Sequence, residues 1–184
     1  MDAESITRRS FVSRVVAGVI GAGVVPRPAS STSFAESAGR WNTGFVYDEG
    51  MLQHPHSPEV PERLICINEA MNQTGLAESV TRPAFLADPF PHVEAVHTEA
   101  HIASIKNIPK TGEAARLAIA GLLGAVKAVH EGAVRNAFCA IRPPGHHAHN
   151  FGMEEGFCFY SNVAIAAKYA QSLGYERILI VDLD

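Results

Sequence analysis

Apolar positions along this chain follow two distinct spacings, and each predicts its own kind of element. Between Thr111 and Glu131 they recur every three or four residues. Ala115, Ala118, Ile119, Leu122, Leu123, Val126 and Val129 form one stripe, which predicts a long amphipathic helix. Gly121 and Gly124 weaken that helix but permit a close approach to a sheet. Pro61 opens a second helix to about Met71, with Leu64, Ile65, Asn68 and Met71 on one face and Gly75 as its stop. Thr98 begins a third, with Ile102 and Ile105 inward. Asn162 to Ser172, stopped by Gly174, is a fourth.

The other spacing is the unbroken run. Asn136 to Ile141 and Arg177 to Val181 are continuously apolar over strand length, which predicts strands buried on both faces. Gly44 to Asp48 reads as a first strand. Residues 49 to 60, with His54, Pro55, His56 and Pro58, read as loop without regular structure, and the proline-bearing residues 81 to 92 as connection. Strands alternating with helices imply an α/β fold with a mainly parallel sheet. Strands near 44–47, 136–141 and 178–183 are expected to be parallel neighbours. Sites in such sheets lie beyond the carboxyl ends of the strands.

The first 35 residues have a different pattern. Arg8-Arg9 precedes the apolar run Val15 to Val25, followed by Pro26, Pro28, a Ser/Thr-rich stretch and Ala35. A basic start, a short apolar segment and small residues before a cut describe a signal peptide, and the arginine pair points to the bacterial Tat route. The expectation is cleavage near Ala35, a mature domain over 36–184, and a periplasmic or extracellular protein. The apolar run is too short for a stable membrane anchor, which needs about 20 residues.

Composition narrows the classes further. The chain has 184 residues, 47% hydrophobic and 18% charged, enough for one domain with a real core. A net charge of -4 gives no electrostatic support for a nucleic-acid partner. Cys66, Cys139 and Cys158 lack a C-x-x-C spacing and sit among apolar neighbours, so they read as buried free thiols.

Two motifs carry chemistry, and both leave predicted strand ends. Arg142-Pro143-Pro144-Gly145-His146-His147-Ala148 places adjacent histidines on a constrained loop, suited to proton transfer or metal ligation. Taken alone, it reads equally well as a surface loop with incidental histidines. Asp182-Leu183-Asp184 puts two carboxylates on one side of a strand, where they hold a cation, orient a histidine or simply cap the next element. His146 and Asp184 are expected at the same sheet edge.

Together the motifs resemble the histone deacetylase superfamily, in particular its class II and bacterial acetylpolyamine amidohydrolase branches. The resemblance rests on the stretch from Phe138 through Arg142-Pro143-Pro144-Gly145-His146-His147-Ala148, on Gly156-Phe157-Cys158, and on Asp182-Leu183-Asp184. It extends back to Gly44 and implies the N-terminal portion of a parallel-sheet arginase/deacetylase-like fold. Carried over by residue, His146 and His147 match the tandem catalytic histidines. Asp182 matches the carboxylate that orients one of them and helps hold a structural potassium ion. Asp184 matches the first zinc ligand. Gly156 and Phe157 match contacts of the acyl-lysine tunnel, and Arg63 matches a buried arginine near the pocket base. The implied activity is zinc-dependent hydrolysis of N-acetyl or N-acyl amides, with acetylated amines or acyl-lysine peptides as substrates.

Departures bear on that expectation. The family pattern places a second ligand histidine two residues beyond Asp184, and a third ligand and an oxyanion-stabilising tyrosine later still. One of three family zinc ligands lies in this chain, so residues 36 to 184 alone are expected neither to hold zinc tightly nor to deacetylate. Two other readings stand beside it: a truncated, non-catalytic product, and a manganese ureohydrolase of the same fold, against which the histidine loop speaks. His149 reads as a rim residue. His54 and His56 read as ordinary loop histidines, and His92, His97, His101 and His130 as surface or helix-packing ones.

Overall fold

The computed structural model describes residues 42–55, 59–151 and 156–184. The export signal expected over residues 1–35 lies outside the described residues, as does His56.

Thr43–Val46 (β1) and Asn136–Cys139 (β2) pair in parallel, with Thr43 opposite Asn136 and Val46 opposite Cys139. The second strand is shorter than the 136–141 run; Ala140 still donates its N–H to Val46 at 2.9 Å. On the other side of β1, Thr81 exchanges backbone bonds with Phe45 at 2.8 Å and Thr43 at 2.9 Å.

Parallel strands need a long crossover, and here six of the described elements supply it, among them a short 3-10 turn at Leu76–Glu78. Glu49–Gln53 forms a 3-10 turn inside the stretch expected to be irregular. Asp48 is the reason: its carboxylate accepts the Gly50 N–H at 2.7 Å and caps the turn. Helix α1 (Glu62–Gln73) ends where Gly75 adopts φ 73, as its position predicts. Phe90–Val93 (α2) makes one helical turn within the proline-bearing connection. Helix α3 (Glu99–Lys106) is capped by Thr98, whose hydroxyl accepts the His101 N–H. Ile102 and Ile105 face inward as expected.

The long helix α4 (Thr111–His130) is the centre of the core. Its Ala115, Ala118, Ile119, Leu122 and Leu123 are buried against β1 and against Met51 of the 3-10 turn. A methyl on Gly121 would sit 2.6 Å from Val46 and 2.9 Å from Phe85, so the glycine does set the helix-to-sheet approach. Helix α5 (Asn162–Ser172) packs on α4 through Ile165, Ala166 and Tyr169, and stops at Gly174 with φ 98.

The expected third strand does not form. Residues 175–184 have no ladder partner among the described residues, and Leu179, Val181 and Leu183 are 65–75% exposed. An unbroken apolar run predicts burial only when two layers cover it; within the described residues Ile178 and Ile180 lie towards the last helix, Asn162–Ser172, while the face carrying Leu179, Val181 and Leu183 is open. Cys66 is also exposed, against expectation, because it lies on the outer side of α1, while Cys139 and Cys158 are buried. No helix among the described residues is long and apolar enough to cross a membrane.

Candidate active site

Strand β2 delivers the chain into the loop 140–151, and that loop is fixed at its start by a buried cation. Arg142 is fully buried. Its guanidinium donates to the carbonyls of Met51 at 3.0 Å and Glu59 at 2.9 Å, and its Nε faces the Glu59 carboxylate at 2.6 Å. A buried charge is tolerable only when paired and hydrogen-bonded in this way. The amide of Asn162, at the start of α5, donates to the Pro143 carbonyl at 3.1 Å. Gly145 lies against the backbone of Tyr160 and Asn162, where a side chain has no room.

From this base His146 and His147 project outward with their rings 4.3 Å apart. His146 Nδ1 meets the Asp182 carboxylate at 3.2 Å, and His146 Nε2 lies 3.3 Å from Asp184 Oδ2. The backbone N–H of Asp184 donates to Asp182 at 3.2 Å. That bond first, and the nearby His146 and His147, hold the Asp182 carboxyl below its ordinary value against desolvation. A carboxylate on Nδ1 fixes the ring orientation and keeps Nε2 as the working nitrogen.

Gly156 stands against His147: with φ 50, a methyl there would lie 2.5 Å from the imidazole Cδ2. Phe157 follows in the same turn at φ 65, partly buried. The structure thus brings together His146, His147, Asp182, Asp184 and Gly156. Arg63 does not join them. Its side chain is 55% exposed and pairs with Glu59 at 3.0 Å on the outside of the same carboxylate. The buried arginine is Arg142. Its signal was available: a charge ending a buried apolar run, directly before two prolines, must find its partners inside.

His97 and His101, expected at the surface or in helix packing, take the packing role. Both are buried, with rings stacked at 4.7 Å. His101 Nε2 donates to the Phe159 carbonyl at 2.6 Å, and His97 Nε2 accepts the Ser161 N–H at 2.8 Å. His54, in turn, is a core residue: it bonds Thr111 at 2.9 Å and sets its ring edge on Phe159.

One ligand atom from each of His146, His147 and Asp184 falls within a 4.8 Å set. Imidazole nitrogen and carboxylate oxygen are the donors zinc takes, and ligands about 2.0–2.1 Å from one ion stand roughly 3.3 Å apart. The Asp184 carboxylate is of the type that fits zinc, and His146 Nε2 stands 3.3 Å from its Oδ2, beside the point such an ion would take.

The parallel pair β1–β2, with the histidines beyond the end of β2 and the aspartates of the C-terminal segment beside them, is consistent with an α/β deacetylase fold. Residues 105–184 match the histone deacetylase domain. The chain is 35% identical over 163 residues to a probable deacetylase of Archaeoglobus fulgidus, covering 77% of this chain and 45% of that protein. It is 35% identical over 148 residues to the polyamine deacetylase HDAC10 of Mus musculus, covering 68% and 22%. The crystal structure of the HDA15 HD domain superposes with a TM-score of 0.62 at 27% identity, over 72% of this chain and 45% of that one. The chain belongs to the histone deacetylase superfamily, and it spans less than half the length of these relatives.

Proposed function

We propose that this chain contributes the proton-transfer histidines and one metal ligand of an exported, zinc-dependent deacylase that hydrolyses N-acetyl or N-acyl amides. The observation that carries the proposal is the Asp182–His146–Asp184 line, in which one carboxylate holds Nδ1 and the imidazole presents Nε2 towards the other. In this arrangement His146 takes a proton at Nε2 while Asp182 stabilises the imidazolium formed. His147 adds a second proton-carrying group beside the same point. Asp184 would hold zinc, which when bound supplies Lewis acidity towards an amide carbonyl. Asp182 would also hold the structural potassium ion implied by the family. Gly156 lets the chain pass close to His147, and Phe157 in the same turn would line the acyl passage. Substrates are small acetylated amines or acyl-lysine peptides, a reading supported by a relative named a polyamine deacetylase. The arginine pair at Arg8 and Arg9 supports export.

The test is acetate release from an acetyl-lysine peptide and an acetylated polyamine by the gene product at its natural length. Release is expected to stop with a chelator, and to fall at least about a hundredfold on His146→Ala, the lower end of general acid–base contributions. Undiminished turnover by His146→Ala would overturn the assignment. With a single family-matched zinc ligand, residues 36 to 184 alone are expected to bind zinc weakly, which equilibrium dialysis measures.

A further inference from the structure

His97 lies outside the reacting set, yet it joins both segments that frame that set. It sits at the N-terminal edge of α3, is 5% exposed, and packs between the rings of His101 at 4.7 Å and Tyr160 at 5.6 Å. Its two nitrogens have opposite tasks. Nε2 accepts the Ser161 N–H at 2.8 Å, so it carries no proton. The neutral ring then bears its proton on Nδ1, which donates to Asn150 Oδ1 at 3.0 Å. Asn150 is also held by the Thr98 N–H at 3.1 Å and reaches the Val96 carbonyl with its amide.

Asn150 lies four positions after His146 on the histidine loop, and Ser161 caps α5 five positions after Gly156, which stands against His147. The start of the loop is already fixed by Arg142 and by the Asn162 bond to Pro143. Its far end is held at Asn150, by His97 together with the Thr98 N–H and the Val96 carbonyl, and reacting groups must be held to within about 0.5 Å to work. One imidazole reaches both segments.

We propose that His97 is a positioning residue: a neutral imidazole clasp that joins Asn150 of the histidine loop to Ser161, the cap of α5 that follows the glycine turn, and so helps fix His146 and His147 relative to Gly156. The inference rests on His146 and His147 being the reacting pair. Its test reads the loops directly, without metal or substrate, so it fails separately from the deacylase assignment.

The experiment is amide exchange and imidazole NMR on the full chain, comparing three variants. His97→Asn keeps a group near Nδ1 and should speed exchange at Ser161 roughly tenfold, the effect of losing one backbone attachment. His97→Gln keeps an acceptor near Nε2, so Ser161 should stay protected while the Asn150 side-chain amide shifts. His97→Phe preserves the ring packing and removes both arms. It should shift the His146 and His147 ring signals while exchange at Ile119 and Leu123 in α4 stays unchanged. A folded His97→Phe variant with unmoved His146 and His147 signals overturns the clasp. If His97→Phe does not fold, Asn150→Ala cuts the same attachment from the other side. Unmoved His146 and His147 signals there overturn it equally.

Discussion

Replacing Arg142 by Met removes a guanidinium that is fully buried, hydrogen-bonded to two carbonyls and ion-paired with one carboxylate, from segments 83 and 91 residues earlier in the chain. Breaking one side of a buried pair costs about 3–5 kcal/mol, because the remaining charge is stranded. Here the cost falls at the lower end, about 3 kcal/mol, since Arg63 still reaches the Glu59 carboxylate at 3.0 Å. For a chain of this size that lowers the melting temperature by roughly 6–12 °C. Arg63→Met, by contrast, removes a half-exposed ion pair worth about 0–1 kcal/mol. Adding Glu59→Gln to Arg142→Met should recover part of the loss, since the stranded carboxylate goes with it, giving a coupling of about 1 kcal/mol or more. Urea melts followed by circular dichroism measure the parent protein, Arg142→Met, Arg63→Met, Glu59→Gln and the Arg142→Met/Glu59→Gln pair. If Arg142→Met costs no more than Arg63→Met, the argument that Arg142 anchors the histidine loop is wrong.

Four further outcomes are expected. Gly156→Ala, forced to φ 50 and into the His147 ring, should displace that imidazole, seen as a shifted His147 ring signal; an unshifted signal would separate the turn from the site. A thiol reagent should label Cys66 in the native protein and leave Cys139 and Cys158 unmodified, because burial pushes the Cys139 thiol up to about 12. Burial, only partly offset by the bond to Asn150, holds the His97 pKa below its ordinary 6.5. The unfolded chain therefore takes up the proton first, so stability should fall as pH drops below about 6.5 and level off once the native ring titrates; His97→Gln should flatten that part of the profile. Changing Arg8 and Arg9 to Lys should retain the precursor in the cytoplasm, checked by fractionation, because Lys lacks the paired planar guanidinium groups.

The sequence by itself determined the local elements. The apolar stripe and its stops marked α4 and α5 within a residue or so, Thr98 marked the start of α3, and Gly75 the end of α1. These features were legible because helix periodicity and caps act over three or four neighbouring residues. The motifs also named His146, His147, Asp182 and Asp184, which the structure brings together although the segment carrying the two aspartates forms no strand. Tertiary structure decided which charges and apolar groups are inside. Arg142 rather than Arg63 is buried, because its partners come from far earlier in the chain. His97 became a link between two segments through Asn150 and Ser161, 53 and 64 residues away. The run from Arg177 to Val181 has strand composition yet no ladder, since a strand exists only when another backbone takes up its hydrogen bonds. Propensity resides in a segment; burial and pairing belong to what packs against it, and spacing along the chain does not record that.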